Sequence, residues 1–233
     1  MDLSVILPTY NEKNNIVDLV NQILEVIKNI ENKEIIIVDD NSPDGTYLTC
    51  KTAFEKNSGI KILLRENNRG LANSIIEGIK ASNGKKIIVM DTDFTHDPKM
   101  IPQLIYLNKL YDIISCSRYC AGGLMENKIH FYLSFIFNLL LRIILKTQIQ
   151  DNLGGYFCVK KTVLDTLPID KIFFGYGEYF FRLLFFAQKK KYTIIEIPAF
   201  YRTRHRGKSK SNFLLLLYKY FFEAVKLRFN LYK

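Results

Sequence analysis

Histidine and cysteine are scarce and scattered in this sequence. Its three histidines, His96, His130 and His205, stand far apart, and its four cysteines, Cys50, Cys116, Cys120 and Cys158, form no Cys-x-x-Cys. Both facts argue against a zinc site, and the thiols are read as free. Glycine-rich phosphate loops are missing as well. The first apolar run passes into Pro8-Thr9-Tyr10-Asn11-Glu12 rather than Gly-x-Gly-x-x-Gly, and no P-loop follows any strand. A Rossmann dehydrogenase therefore does not fit. The N-terminal run Val5-Ile6-Leu7 stops at Pro8, too short for a signal peptide, so a reduced, cytoplasmic chain is expected.

What is present suits one globular core. The chain has 233 residues, 48% hydrophobic and 24% charged, enough to bury a core without staples. The net charge of +10 is uneven. Residues 1–117 hold 13 Lys+Arg against 16 Asp+Glu, residues 118–198 hold 11 against 6, and residues 199–233 hold 9 against 1. The basic end suits nucleic acid, an anionic membrane or a phosphorylated substrate. Its cations lie among leucines and phenylalanines rather than along a polar groove with stacking aromatics, which argues against nucleic acid.

The first half alternates short β-branched runs (LSVILPTY, EIIIVDD, IKILLREN, KKIIVMDTD) with helical periods in NNIVDLVNQILEVIKNI and GLANSIIEGIKAS. This alternation predicts an α/β fold with a mostly parallel, doubly wound sheet, whose ligands bind at the carboxyl ends of the strands. PTYNE, DDNSPDGT and DTDFTHDP all fall there. Asp91, Asp93 and Asp97 crowd together after an apolar tetrad, and such carboxylates repel unless a cation or hydrogen bonds offset them. Oxygen-only ligands favour Mg²⁺ or Mn²⁺ together with substrate phosphate oxygens. Plainer roles compete: Asn41-Ser42-Pro43-Asp44-Gly45-Thr46 is turn chemistry in itself, Asp91 and Asp93 suit a strand end and a helix cap, and His96 reads as a loop packing residue.

In this order VILPTYNE, IIIVDDNSPDGT, NRGLANSIIEGI, MDTDFTHDP, SRY and RHRGKSK resemble family 2 glycosyltransferases of the GT-A fold. Within that family they are similar to the dolichyl-phosphate mannose synthase group. The resemblance implies a Rossmann-like sheet flanked by helices, with C-terminal amphipathic, membrane-associated helices. It implies inverting, metal-dependent transfer of a hexose, mannose from GDP-mannose, to a polyprenyl or dolichyl phosphate. Carried over by motif, the nucleotide-sugar pocket is Pro8, Tyr10, Glu12, Val38, Asp40, Asp91, Thr92 and Asp93. Mn²⁺ or Mg²⁺ would sit on Asp93, Thr95 and Asp91, and Arg118, Arg204 and Lys210 would face phosphate. Asp91, Asp93 and Arg118 are the implied catalytic residues.

Two departures stand out. Many relatives carry alanine at the Thr92 position and glutamine or serine at the Thr95 position. Where relatives have an acidic residue in the helix after a Gly-Tyr turn, this chain reads GYGEYFFRLLFFAQKK, so Glu178 either serves in a shifted register or only starts the helix. The chemistry suits the residue types: negative charge developing on a departing diphosphate is stabilised by a divalent metal with Arg and Lys, the sugar carbon becomes oxocarbenium-like, and an acceptor phosphate attacks without a strong base.

HFYLSFIFNLLLRIILK carries Ser134, Asn138, Arg142 and Lys146 as one polar stripe, and the last helix repeats the pattern with Lys219, Glu223, Lys226 and Asn230. Such broad apolar faces are core or membrane surface. Residues 131–146 reach about 24 Å as a helix, short of the ~30 Å hydrocarbon layer, so the helix is expected to lie in the interface. Residues 1–210 are read as the catalytic domain, including helix 131–146, and 211–233 as an amphipathic helix. Docking on the cytoplasmic face of a membrane is expected, aided by a small membrane subunit if the helices do not suffice. The segment RTRHRGKSKS, with six basic residues counting His205, is expected to order on anionic ligands. Two other classes share these motifs: a family 2 enzyme with a sugar or other hydroxyl acceptor, and a non-catalytic membrane-binding homologue.

Overall fold

Near-continuous β-branched runs make strands that are buried on both faces. In the first half they are β1 (Leu3–Thr9), β2 (Lys33–Asp39) and β4 (Lys86–Val89), with β3 (Ile60–Leu64) a partly buried edge strand. Between them lie α1 (Ile16–Val26), α2 (Thr46–Phe54) and α3 (Leu71–Ala81). The computed structural model describes residues 1–203 and 213–231. Its second half adds α4 (Ile101–Leu107), β5 (Ile113–Ser117), β6 (Leu124–Met125), α5 (Lys128–Leu145), β7 (Phe157–Lys160) and the short α6 (Lys161–Leu164). Then follow α7 (Ile169–Ile172), α8 (Glu178–Lys189), β8 (Ile194–Pro198), β9 (Phe200–Tyr201) and α9 (Phe213–Phe229).

One seven-stranded sheet runs β3-β2-β1-β4-β7-β5-β8, and β6 pairs with β9 beside it. Every pairing in the large sheet is parallel except those of β7, which runs antiparallel to β4 and β5. The register sets Thr9 opposite Asp39, so β1 and β2 release their chains at the same level. Side chains alternate across the sheet. Val5, Leu7, Ile35, Ile37 and Ile88 pack under α1, α2 and α4, while Ile6, Ile36, Val38, Ile87 and Val89 pack under α3 and α8. The second-half strands are short, and α2 (TYLTCKTAF) mixes polar and apolar residues around its axis, so neither stands out in the sequence.

A third cluster joins α5, α8 and α9 through Phe137, Leu141, Phe181, Phe185, Tyr220, Ala224 and Leu227. Here α5 differs from the expected span. Its start is three residues earlier, where the Asn127 side chain accepts the His130 N–H at 3.1 Å, and it stops at Lys146, whose φ is 53°. Its polar stripe also points inward. Ser134 and Asn138 are buried, and Asn138 accepts the Asn152 N–H at 2.7 Å and donates to the Ser134 carbonyl at 2.9 Å. The outward face is apolar, with Ile129, Ile136 and Ile143 73%, 64% and 68% exposed. The boundary expected between residues 210 and 211 lies outside the described residues.

Candidate active site

Three strand ends meet at one edge of the sheet and enclose a cavity of about 470 Å³. Pro8, Thr9, Tyr10 and Glu12 line it from the end of β1, Asp40 from the end of β2, and Asp91, Thr92 and Asp93 from the end of β4. Arg69, Gly70, Leu71 and Ser74 contribute the first turn of α3, and Tyr176 closes the wall from the turn before α8.

The β1 and β2 loops are tied together by their own polar side chains. Asp39 accepts the Thr9 hydroxyl at 3.0 Å and both the hydroxyl and the N–H of Ser42, at 2.6 and 2.9 Å. Ser42 in turn accepts the Asn11 N–H at 2.9 Å, and Thr46 accepts the Glu12 N–H at 3.0 Å. The Asn-Ser-Pro-Asp-Gly-Thr turn thus also holds the loop that carries Tyr10 and Glu12. Asp40 is fixed from the other side, where its carboxylate pairs with Arg65 and accepts the Gly70 N–H. Gly70 has φ of 143°, a backbone conformation that favours glycine.

The DTD segment is oriented residue by residue. The Asp91 N–H donates to His96 Nδ1 at 2.9 Å, and His96 Nε2 lies 3.7 Å from Asp91 Oδ2. His96 is buried, stacked on Tyr156 and edge-on to Tyr201, each at 4.8 Å between ring centroids. It is a packing residue, as its sequence context suggests, and it also positions Asp91. Thr92 is buried and donates to the Pro8 carbonyl at 3.4 Å. Asp93 Oδ1 accepts the Thr95 hydroxyl at 2.7 Å and the Thr95 N–H at 3.1 Å. Thr95 therefore orients Asp93 from behind and is not part of the cavity wall.

Other expected residues sit elsewhere. Val38 packs in the core beneath α3: it shares a face of β2 with Asp40, but it lies within the strand, covered by α3, whereas Asp40 stands past the strand end and reaches the cavity. Arg118 is nearly buried and faces Asp151, donating from Nε and Nη2 at 2.8 and 2.7 Å, with Tyr119 and Tyr201 rings each 5.1 Å from its guanidinium. Burial alone lowers its pKa, but the Asp151 charge more than offsets this and leaves it raised. The fork is occupied by a carboxylate 33 residues away, so the structure does not bring Arg118 to the cavity wall. Glu178 opens α8 and lies 3.5 Å from Arg182, behind the turn that carries Tyr176. Arg204 and Lys210 lie outside the described residues. Of the lining residues not expected from the sequence, Thr9 lies in PTYNE, while Arg69, Gly70, Leu71, Ser74 and Tyr176 come from the NRGLANS and GYG stretches, whose glycines were the available signal.

Comparison with known proteins agrees with this geometry. The family described as Glycosyl transferase family 2 matches residues 4–167. A dolichol-phosphate mannosyltransferase of Pyrococcus furiosus is 35% identical over 217 residues, covering 90% of this chain and 59% of that protein. The chain thus spans less than two thirds of that relative's length. An undecaprenyl-phosphate mannosyltransferase of Micrococcus luteus is 28% identical over 216 residues, covering 90% of this chain and 87% of that one. In fold, the chain matches a glucosyl-3-phosphoglycerate synthase from Mycobacterium tuberculosis, solved with Mn²⁺, UDP and glucosyl-3-phosphoglycerate, at a TM-score of 0.73 and 16% identity over 97% of this chain and 79% of that one. An α/β fold with a mostly parallel sheet, strand-end carboxylates at its edge and a family match across most of the chain lead to one assignment: the chain belongs to glycosyl transferase family 2 and has the GT-A fold.

Proposed function

We propose that this chain transfers a hexose, mannose from GDP-mannose, to a polyprenyl phosphate at the cytoplasmic surface of a membrane, with inversion at the sugar carbon. The names of the Pyrococcus and Micrococcus relatives support the acceptor class and the sugar. The cavity supports the donor half. Pro8, Tyr10, Glu12 and Asp40 bracket space for a nucleotide, and the DTD carboxylates stand where its diphosphate would end.

The donor set fits a hard cation. Asp91 and Asp93 both line the cavity, one Asp93 oxygen is oriented by Thr95, and every candidate ligand is oxygen. Among the described residues no group of three or more His, Cys, Asp or Glu could hold a metal by itself, so substrate phosphate oxygens would complete the shell. Held by Asp91 and Asp93, Mn²⁺ or Mg²⁺ would offset the charge that builds on the leaving diphosphate. The acceptor phosphate is already anionic and attacks the sugar carbon from the face opposite the departing diphosphate oxygen. Arg204 and Lys210 are assigned to the donor and acceptor phosphates. In support, the last described residues before that stretch lie near the DTD segment: the Tyr201 ring is 4.8 Å between centroids from His96, and Arg202 lies 3.8 Å from Asp97.

The observation that carries the acceptor assignment is the outward apolar face of α5: Ser134 and Asn138 are buried beside Phe137 and Leu141, while Ile129, Ile136 and Ile143 face outward. A soluble acceptor gives no reason for such a face; an acyl boundary does. By length and composition Lys128–Leu145 is apolar enough to cross a bilayer. Its inner face, however, packs on the domain from Ser134 to Leu145, and a spanning helix would drag that domain into hydrocarbon. An in-plane position avoids this, with α9 beside it exposing Leu215, Tyr218 and Phe222. A small membrane subunit is a compatible partner on this surface.

Purified chain incubated with Mn²⁺, a polyprenyl phosphate and a panel of GDP-, UDP- and CMP-sugars is expected to form a lipid-linked hexose from GDP-mannose. Transfer to a soluble hydroxyl acceptor with none to lipid would overturn the reading.

A further inference from the structure

One wall of the cavity is carried by a turn outside the strands of the sheet. Tyr176 reaches the cavity from the stretch Phe174-Gly175-Tyr176-Gly177 between α7 and α8. Gly175 has φ of 76°, and the Glu178 carboxylate fills the place where a Cβ at Gly175 would stand, 2.1 Å from Oε1. The turn also abuts the α3 wall: a Cβ on Gly70 would lie 3.4 Å from the Gly175 carbonyl oxygen, and Gly70 is the residue whose N–H holds Asp40.

Two α9 residues support this turn from outside. The buried Tyr220 hydroxyl accepts the Gly177 N–H at 3.1 Å, and a Cβ on Gly177 would come within 2.4 Å of that oxygen, so the turn and α9 meet through a glycine-sized gap. Glu223 accepts from Arg182 Nε at 3.0 Å. Arg182, fully buried in α8, spends Nη1 on the carbonyls of Ile172 and Phe174 at 2.6 and 2.9 Å and stacks 3.5 Å over the Phe174 ring. Both ends of the turn are therefore tied to α9, one directly and one through Arg182.

We propose that Tyr220 is a positioning residue for the donor site: through Gly177 it sets the turn that carries Tyr176, and so the affinity of the cavity for its nucleotide. The inference rests on the reading that this cavity takes a nucleoside diphosphate. It assigns α9 a second task beyond facing lipid, because undocking α9 removes the hydroxyl from Gly177 and releases the wall.

The test uses the full chain and Tyr220→Phe, which keeps the aromatic packing and removes only the acceptor. Three quantities are measured: hydrogen exchange of the segment 173–178 without ligand, calorimetric binding of GDP and of UDP with Mn²⁺, and the thermal midpoint. Faster exchange confined to that segment is expected, with GDP affinity lowered about 10-fold, equivalent to ~1.4 kcal/mol. A fall in the midpoint of about 2–4 °C with unchanged exchange and unchanged affinity would mark Tyr220 as structural only and overturn the inference. Faster exchange with unchanged GDP affinity would overturn it too, since the turn would then not set the site. Wild-type protein that binds neither nucleotide would overturn the donor reading, and the inference with it; the wild-type titration distinguishes that failure from the other two.

Discussion

Asp93 and Asp91 sit two residues apart and are oriented by different means, Asp93 by Thr95 and Asp91 by the His96 ring behind its N–H. Asp93→Ala is expected to lower turnover by at least about 100-fold at saturating donor and metal, the scale on which loss of one preorganised charge-stabilising group is felt, and to leave the thermal midpoint near its starting value. Asp91→Asn keeps the backbone bond to His96 and should be milder. Near-normal turnover of Asp93→Ala would remove DTD from the mechanism. Arg118 calls for a different measurement. Asp151→Ala leaves a buried guanidinium without its carboxylate, a loss of about 3–5 kcal/mol that a urea titration reads directly. An unchanged midpoint would show that solvent or substrate, not Asp151, answers that charge. The DTD run was legible because three polar residues break an apolar strand at its end; the Arg118–Asp151 pair was not, since nothing in local pattern links residues 33 apart.

At the level of elements, α5 was legible as a helix with one polar stripe, but which side of it faced water was not. Spacing yields the stripe, whereas its direction depends on what packs against it, here Asn152 meeting Asn138 and α8 and α9 meeting Phe137 and Leu141. Ile136→Glu with Ile143→Glu is expected to abolish flotation with anionic liposomes while leaving the midpoint unchanged, because both side chains are exposed and contribute little to the core. Flotation of the unmodified chain should weaken with salt, since each cation near an anionic leaflet contributes about 1 kcal/mol. Retained flotation of the double variant would move the lipid contact away from α5. In α9 the expected polar stripe is divided: Lys219 and Lys226 are exposed, while Glu223 turns in to Arg182.

At the scale of the whole molecule, the metal and the fold are separable. The core is carried by two apolar layers on the sheet and a third under α5 and α9, none of which involves the DTD carboxylates. Chelation by EDTA is therefore expected to stop transfer and leave the thermal midpoint within about 2 °C, with activity returning on Mn²⁺, unlike a structural metal whose removal unfolds its domain. A collapse of the midpoint on chelation would contradict this separation. The sequence by itself determined the alternation of strands and helices, the polar strand ends and the motifs of the family, because each is written in contiguous residues: apolar runs for the strands, a period of 3.6 for the helices and polar residues directly after a run for the strand ends. Only the tertiary structure decided that β7 enters antiparallel between β4 and β5, that Val38 lies in the core and Arg118 pairs with Asp151 while Arg69, Gly70 and Tyr176 complete the cavity, and that α5 shows its apolar face outward. Those outcomes depend on which surfaces, distant in the chain, compete for the same partner, and that competition is settled by packing across the sheet.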